Sequence, residues 1–284
     1  MRSWPTRRAD PAPPVITLLT DFGHADIYVG VLHGVIALLC PQARVIDLSH
    51  EVPPGDVLAG ALALQDGLAF LPVGIHVAVI DPGVGSDRRP VALRTRDGRI
   101  LVGPDNGVLS PAARSAGGVQ AAVDLRDSPL ALDPVSATFH GRDLFVAVAA
   151  GLAGPATLLT AGVPVDPEEL CELSLPEPVP DGDGDGNGLT VTVTAVDRFG
   201  NLAVYARPDD LTPLGLAPGA VFCAWHGARR CFGRYGETFS DVGRGRLVLH
   251  RDSTGRMALA VNRGRADALL EAGAGAELRL VPVH

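Results

Sequence analysis

The chain lacks the marks of several protein classes. No apolar run approaches the roughly 18–20 residues that a bilayer span requires. The opening residues, MRSWPTRRADPAPP, carry basic side chains with no apolar stretch behind them. That excludes a secretory signal or an anchor and predicts a frayed, proline-rich tail over residues 1–14. Positive charge is scarce: 24 basic residues face 32 acidic ones, a net charge of −8. A general nucleic-acid binder, whose affinity rests on neutralising phosphates, is excluded on that ground. Cysteine is also scarce. Cys40, Cys171, Cys223 and Cys231 form no C-x-x-C pair and stand near no histidine cluster at zinc spacing, so no metal site is expected. Reduced, mostly buried thiols in a cytoplasmic protein are the expectation.

What remains is globular composition. The 284 residues are 46% apolar and 20% charged, enough for one large domain or two modest ones. Short apolar runs alternate with helix-like stretches: strands at 15–19, 44–48, 75–80, 91–95 and 100–102, and helices at 28–39, 56–70 and 144–152. This alternation predicts an α/β domain over 15–175, Rossmann-like, with a mainly parallel sheet covered on both faces. LPEPVPDGDGDGNG contains only turn and linker residues, and a linker is expected over 176–188. Its Asp-Gly alternation fails as a calcium loop, because Thr192 or Thr194 stands where the ligating glutamate belongs. From 189 to 284, short alternating segments separated by glycine-rich turns predict a smaller all-β barrel.

Polar motifs follow the apolar strands. TDFGHAD places Asp21 after the first strand, and IDPGVGSDRR places Asp81 after the third, with Arg88 seven residues on. FHGRD presents His140 just before a helix. In open parallel sheets, ligands sit at the carboxyl ends of strands, so Asp21 and Asp81 are expected to face one crevice. A carboxylate there can hold sugar hydroxyls by charge-assisted hydrogen bonds. Each residue also has a plainer reading: Asp21 or Asp81 as a turn residue, Asp26 as a helix cap, Arg88 as a solvated charge, His140 as a structural histidine. GPDNG offers Asn106 in a turn, and DRFGN offers Asp197, Phe199 and Asn201, an aromatic face beside polar groups. In RDSTGRMALAVNRG, Ser253 and the backbone at Val261 and Asn262 could read a purine edge.

TDFG, IDPGVGSDRR, GPDNG, TFHGRD, DRFGN and ALAVNRG occur in this order from about Ile16 to Leu280. Together they resemble the S-adenosyl-L-methionine hydroxide adenosyltransferases, relatives of fluorinating and chlorinating enzymes. The resemblance implies hydrolysis of S-adenosyl-L-methionine to adenosine and L-methionine with no cofactor. It also implies a homotrimer with sites at subunit interfaces. It matches Asp81, Arg88 and His140 to the set that positions and activates water, which the halide-using relatives lack. It matches Asp21 to the ribose carboxylate, and Asn106, Asp197, Phe199, Asn201, Ser253, Val261 and Asn262 to substrate contacts. One departure is local: Thr254 stands where the halide-using relatives carry arginine. A halide-dependent adenosyltransferase and a non-catalytic nucleoside sensor remain the alternatives, and the joint presence of Asp81, Arg88 and His140 favours the hydrolase.

Overall fold

The computed structural model describes residues 12–181 and 188–283. The expected tail lies outside these residues apart from 12–14, and so do positions 182–187 of the expected linker. The chain divides into two compact units, Met1–Leu173 and Ser174–His284.

The first unit is built on β1 (Val15–Thr20), β2 (Arg44–Ser49), β3 (Ile75–Val79), β4 (Pro90–Thr95), β5 (Ile100–Pro104), β6 (Val119–Asp124) and β7 (Val163–Val165). They form one sheet in the order β2-β1-β3-β5-β4-β6-β7. The first four in that order pair in parallel, and β4, β6 and β7 extend the sheet antiparallel. Four helices matter for packing: α1 (Tyr28–Leu39), α2 (Val57–Leu68), α3 (Ser110–Ser115) and α4 (Val146–Ala153). Successive strand side chains point to opposite faces, so a strand buried on both sides reads as an unbroken apolar run. In β1, Ile16 and Leu18 join Leu32 and Ile36 of α1 and Val148 of α4 in one core. Leu19 joins Ala61 and Leu64 of α2 and Ala112 of α3 in the other.

Local chemistry sets the helix ends. Asp56 caps α2 by accepting from Ala59 N–H at 2.9 Å. Asp26 does not cap α1, whose N-cap is Ile27 with no side-chain bond, so that expectation is corrected. The helix expected at 144–152 is entered through a π-helical turn, Gly141–Phe145, of which His140 is the N-cap. Such widened turns hold side chains that a regular helix would rotate away.

In the second unit a two-residue strand, β8 (Val179–Pro180), pairs with β9 (Leu189–Val196), which closes a barrel with β10 (Leu202–Val204), β11 (Val221–His226), β12 (Arg229–Tyr235), β13 (Leu247–Arg251), β14 (Met257–Val261) and β15 (Glu277–Pro282). The barrel order is β10-β14-β13-β12-β11-β15-β9, and a β10–β9 pairing closes the ring. Closure removes the exposed edges that an open sheet of this size would present. The interior holds Val193, Leu202, Phe222, Leu249, Leu259 and Leu280. All four cysteines are free; Cys40 and Cys223 are buried, but Cys171 is exposed and Cys231 half-buried, so thiol burial is less general than expected.

His76 of β3 is fully buried beside Thr17 of β1, Nδ1 to Oγ1 2.9 Å. Burial, and then the Arg99 cation, push its pKa from 6.5 down to about 4. Between those values the unfolded chain binds a proton that the folded chain does not. Stability therefore falls as pH drops through this window, by at most roughly 3 kcal/mol. Urea unfolding of wild type and His76→Leu from pH 7.5 to 4 should show the variant losing that part of the slope. Parallel curves for the two proteins would contradict the assignment.

Candidate active site

β1 and β3 are neighbours in parallel register, so the loops leaving their carboxyl ends emerge side by side. Asp21 leaves β1 and Asp81 follows β3 by two residues. With Phe22, Tyr28, Phe139 and His140 they line a cavity of about 150 Å³. The three aromatic rings meet edge to face, centroids 5.1–6.0 Å apart, and form its apolar wall. Gly141 permits this closeness, since a Cβ there would lie 3.0 Å from the Phe22 ring.

The polar wall is an interlocked set. Arg88 Nε donates to both oxygens of Asp81, at 2.9 and 3.0 Å, and its terminal amino group also meets Oδ2. A terminal nitrogen of the same guanidinium lies 2.9 Å from His140 Nδ1. The Asp81 and Arg88 side chains are only 5% and 9% exposed. Guanidinium has donors and no acceptor, so Nδ1 must accept, and the proton of a neutral His140 sits on Nε2. Burial, and then the Arg88 cation, hold the His140 pKa below the ordinary imidazole value, outweighing the pull of Asp81 and Asp143. Phe145 lies under the guanidinium, 5.4 Å from ring centroid to Cζ. Gly85 (φ +79°) lets the loop between Asp81 and Arg88 turn tightly, where a Cβ would meet Ala137 O at 2.9 Å. Asp21 Oδ2 accepts from Gly55 N–H at 2.8 Å, which fixes the carboxylate at the cavity rim.

The remaining residues of these motifs are supports. Asn106 does not line this cavity: its Nδ2 donates to Ile80 O at 2.9 Å and its Oδ1 accepts from Val108 N–H at 3.2 Å. It therefore braces the carbonyl next to Asp81 from behind. Arg89 pairs with Asp105 and Glu169, and Arg142 with Asp143. A second cavity of this unit, about 270 Å³ between Asp105, Arg114 and Cys171, includes none of the predicted residues.

In the second unit, DRFGN is the turn from β9 to β10. Asp197 Oδ1 accepts from Phe199 and Asn201 N–H at 2.8 and 2.9 Å, and Oδ2 from Asn201 Nδ2 at 2.7 Å. Asp197, Asn201 and Ser253 share a groove of about 640 Å³ with Phe239 and His250. Register explains its floor. Ala195, Ala203, Ala258 and His250 lie opposite one another across β9, β10, β14 and β13. Their face is the one turned away from the barrel core, and three small side chains leave room for a flat group. Phe199 is outside this groove, 61% exposed with Arg198 stacked on it at 4.7 Å. Val261 is buried in β14, and Asn262 Nδ2 donates to Val242 O at 2.7 Å. Phe22, Tyr28, Phe139, Phe239 and His250 line the two cavities without having been singled out. Phe22 and Phe139 adjoin Asp21 and His140 within quoted motifs, so that proximity was the available signal.

A mixed-sheet unit with paired carboxylate, guanidinium and imidazole, and a barrel with a polar groove, define an enzyme acting on a small molecule. Family models described as the SAM hydroxide adenosyltransferase N-terminal and C-terminal domains match residues 16–162 and 191–279. A relative from Salinispora tropica, named (R)-S-adenosyl-L-methionine hydrolase, is 47% identical over 267 residues, covering 94% of this chain and 97% of the relative. A fluorinase from an Actinoplanes species is 26% identical, covering 88% and 91%. The crystal structure of an uncharacterised conserved protein from Thermotoga maritima superposes with a TM-score of 0.86 at 31% identity, covering 94% and 99%. The chain belongs to the SAM hydroxide adenosyltransferase family.

The Arg88–His140 contact can be tested directly. In Arg88→Met the imidazole loses a cation and keeps the Asp81 carboxylate nearby, so protonation becomes easier. The His140 midpoint, followed by NMR of the ring protons, should rise from its depressed wild-type position. An unchanged or lower midpoint would mean that Arg88 does not set it.

Proposed function

We propose that the protein hydrolyses S-adenosyl-L-methionine to adenosine and L-methionine by in-line attack of water at the ribose 5′ carbon. The substrate is the (R)-sulfonium epimer, as the name of the hydrolase relatives has it. The interlock of Asp81, Arg88 and His140 at an aromatic-walled cavity is the observation that carries this reading. The sulfonium is already an activated leaving group. As the C5′–S bond breaks, its electron pair goes to sulfur and methionine leaves neutral, so the chemistry asks for no metal or cofactor. The protein has to place one water and accept one proton. His140, with its proton on Nε2, donates to that water and aims it. Its Nδ1 is occupied by Arg88, which leaves the Asp81 carboxylate as the base. Asp21 grips the ribose hydroxyls by charge-assisted bonds.

The fluorinase relatives raise the alternative of halide as nucleophile. A carboxylate at the point of attack repels an anion and accepts a proton from water, and only the second property is useful in hydrolysis. A non-catalytic sensor would not need a buried ion pair and an imidazole arranged to move a proton.

The Asp21–Asp81 cavity, at about 150 Å³, is small beside the roughly 300–1,000 Å³ of ordinary ligand pockets. The Asp197–Ser253 groove offers a further polar surface. We assign both to one substrate, completed at subunit interfaces of a homotrimer acting in the cytoplasm.

In water enriched in heavy oxygen, with EDTA present, mass spectrometry should find the label in the 5′-hydroxyl of adenosine. Asp81→Asn should lower kcat/KM by roughly 10²–10⁴-fold. Unlabelled adenosine, or turnover lost to EDTA and restored by a divalent ion, would overturn the mechanism.

Shared sites predict complementation. Asp81→Ala and Asn201→Ala proteins, each of low activity, should regain activity when mixed under subunit exchange, because some interfaces then carry both native halves. An active monomer by light scattering would refute the trimeric site.

A further inference from the structure

We propose that His33, Asp47 and His50 form a binding site for one divalent transition-metal ion of the zinc class. The site shares no residue with the cavity assigned to hydrolysis, and its existence does not depend on that assignment. His33 comes from the exposed side of α1, Asp47 from β2, and His50 from the residue after β2. Each offers one ligand atom, and the three atoms lie within 4.8 Å of one another. His33 Nε2 is 2.9 Å from Asp47 Oδ1, and His50 Nε2 is 3.1 Å from the same oxygen. Ligands at the vertices of a zinc tetrahedron stand about 3.3 Å apart, given bonds of about 2.0 Å. The two contacts to Asp47 therefore need to open by only a few tenths of an ångström to admit the ion.

His50 supplies the independent observation. Its side chain is 0% exposed. Its Nε2, pointing into the cluster, makes no well-directed hydrogen bond among the described residues. A buried nitrogen that abuts a carboxylate oxygen without a well-directed hydrogen bond is poorly satisfied, and a coordinate bond would satisfy it. The other ring nitrogen is already oriented, with Nδ1 2.8 Å from Thr20 Oγ1. With that nitrogen donating to the hydroxyl, the neutral ring carries its lone pair on Nε2, the form a metal needs. Two imidazoles and one carboxylate suit zinc and its neighbours and leave a fourth position to water. His33 and Asp47 are each 38% exposed at the side chain, so the ion has a way in. Bound metal would tie α1 to β2 and to the loop after β1, since Gly23 N–H donates to His50 O at 2.7 Å.

Full-length protein stripped with chelator and dialysed should be titrated with zinc chloride by calorimetry, and with cobalt(II) by visible absorption. We expect one tight equivalent per chain and the intense visible bands of four-coordinate cobalt. His33→Ala and Asp47→Asn should each weaken binding at least tenfold, and zinc should raise Tm in wild type only. Both positions lie at the surface, so the variants keep their fold, as circular dichroism will verify. His226→Ala, outside the cluster, should bind as wild type does. Absence of tight binding in wild type, or wild-type affinity in either cluster variant, overturns the site. Turnover of S-adenosyl-L-methionine in EDTA bears on the hydrolysis reading alone and keeps the two failures apart.

Discussion

The guanidinium of Arg88 is the constraint on which the geometry of the Asp21–Asp81 cavity depends. It is nearly buried, and it touches Asp81, His140 and the ring of Phe145 at once. A buried carboxylate without its cation is an uncompensated charge, and breaking such a pair by removing one partner costs about 3–5 kcal/mol. Here the cation comes from the same loop as the carboxylate, and glycine lets that loop turn back. The imidazole comes from the start of a π-helical turn in a distant part of the chain. One planar fork thus fixes two segments against each other and decides which histidine nitrogen carries the proton.

Sheet geometry brings these groups to one place. Parallel pairing of β1 with β3 sets two strand ends side by side, so Asp21 and Asp81 meet without direct contact in sequence. Antiparallel pairing does the corresponding work in the barrel, where cross-strand register collects alanines from three strands into one floor. In each unit the strand register that builds the core also decides which polar residues line its own cavity.

The long elements were legible because their signals are strong. β1 and β3 are mostly apolar, and β9 alternates. The short ones were not: β10 has three residues and is defined by its partners β9 and β14 rather than by its own pattern. Among the candidate residues, Asp21 and Asp81 stood out because they follow apolar strands, Arg88 and His140 through the resemblance their motifs carry, and the structure brings all four together. Asn106 stood in an equally conspicuous turn, but its amide is used by the backbone around Ile80. Phe199 and Phe239 could not be told apart by sequence, since only the fold decides which aromatic faces the groove. The His33–Asp47–His50 cluster was invisible for the same reason. Its residues are fourteen and three positions apart, on a helix and a strand that only tertiary packing brings together.

Composition adds a last constraint. The chain contains no lysine; all 24 basic residues are arginine. Guanidinium stays protonated throughout the range in which proteins remain folded, so the cations around the site do not titrate. Near the Asp21–Asp81 cavity, histidine is therefore the side chain whose charge can change around neutral pH. Protonation of His140 would place a second donor against the Arg88 donor at Nδ1, and the interlock could not survive unchanged. The downward shift of the His140 pKa keeps that event below neutrality. Burial is the larger cause of that shift, and the same guanidinium that orients the imidazole adds to it, so the contact that sets the geometry also favours the neutral form.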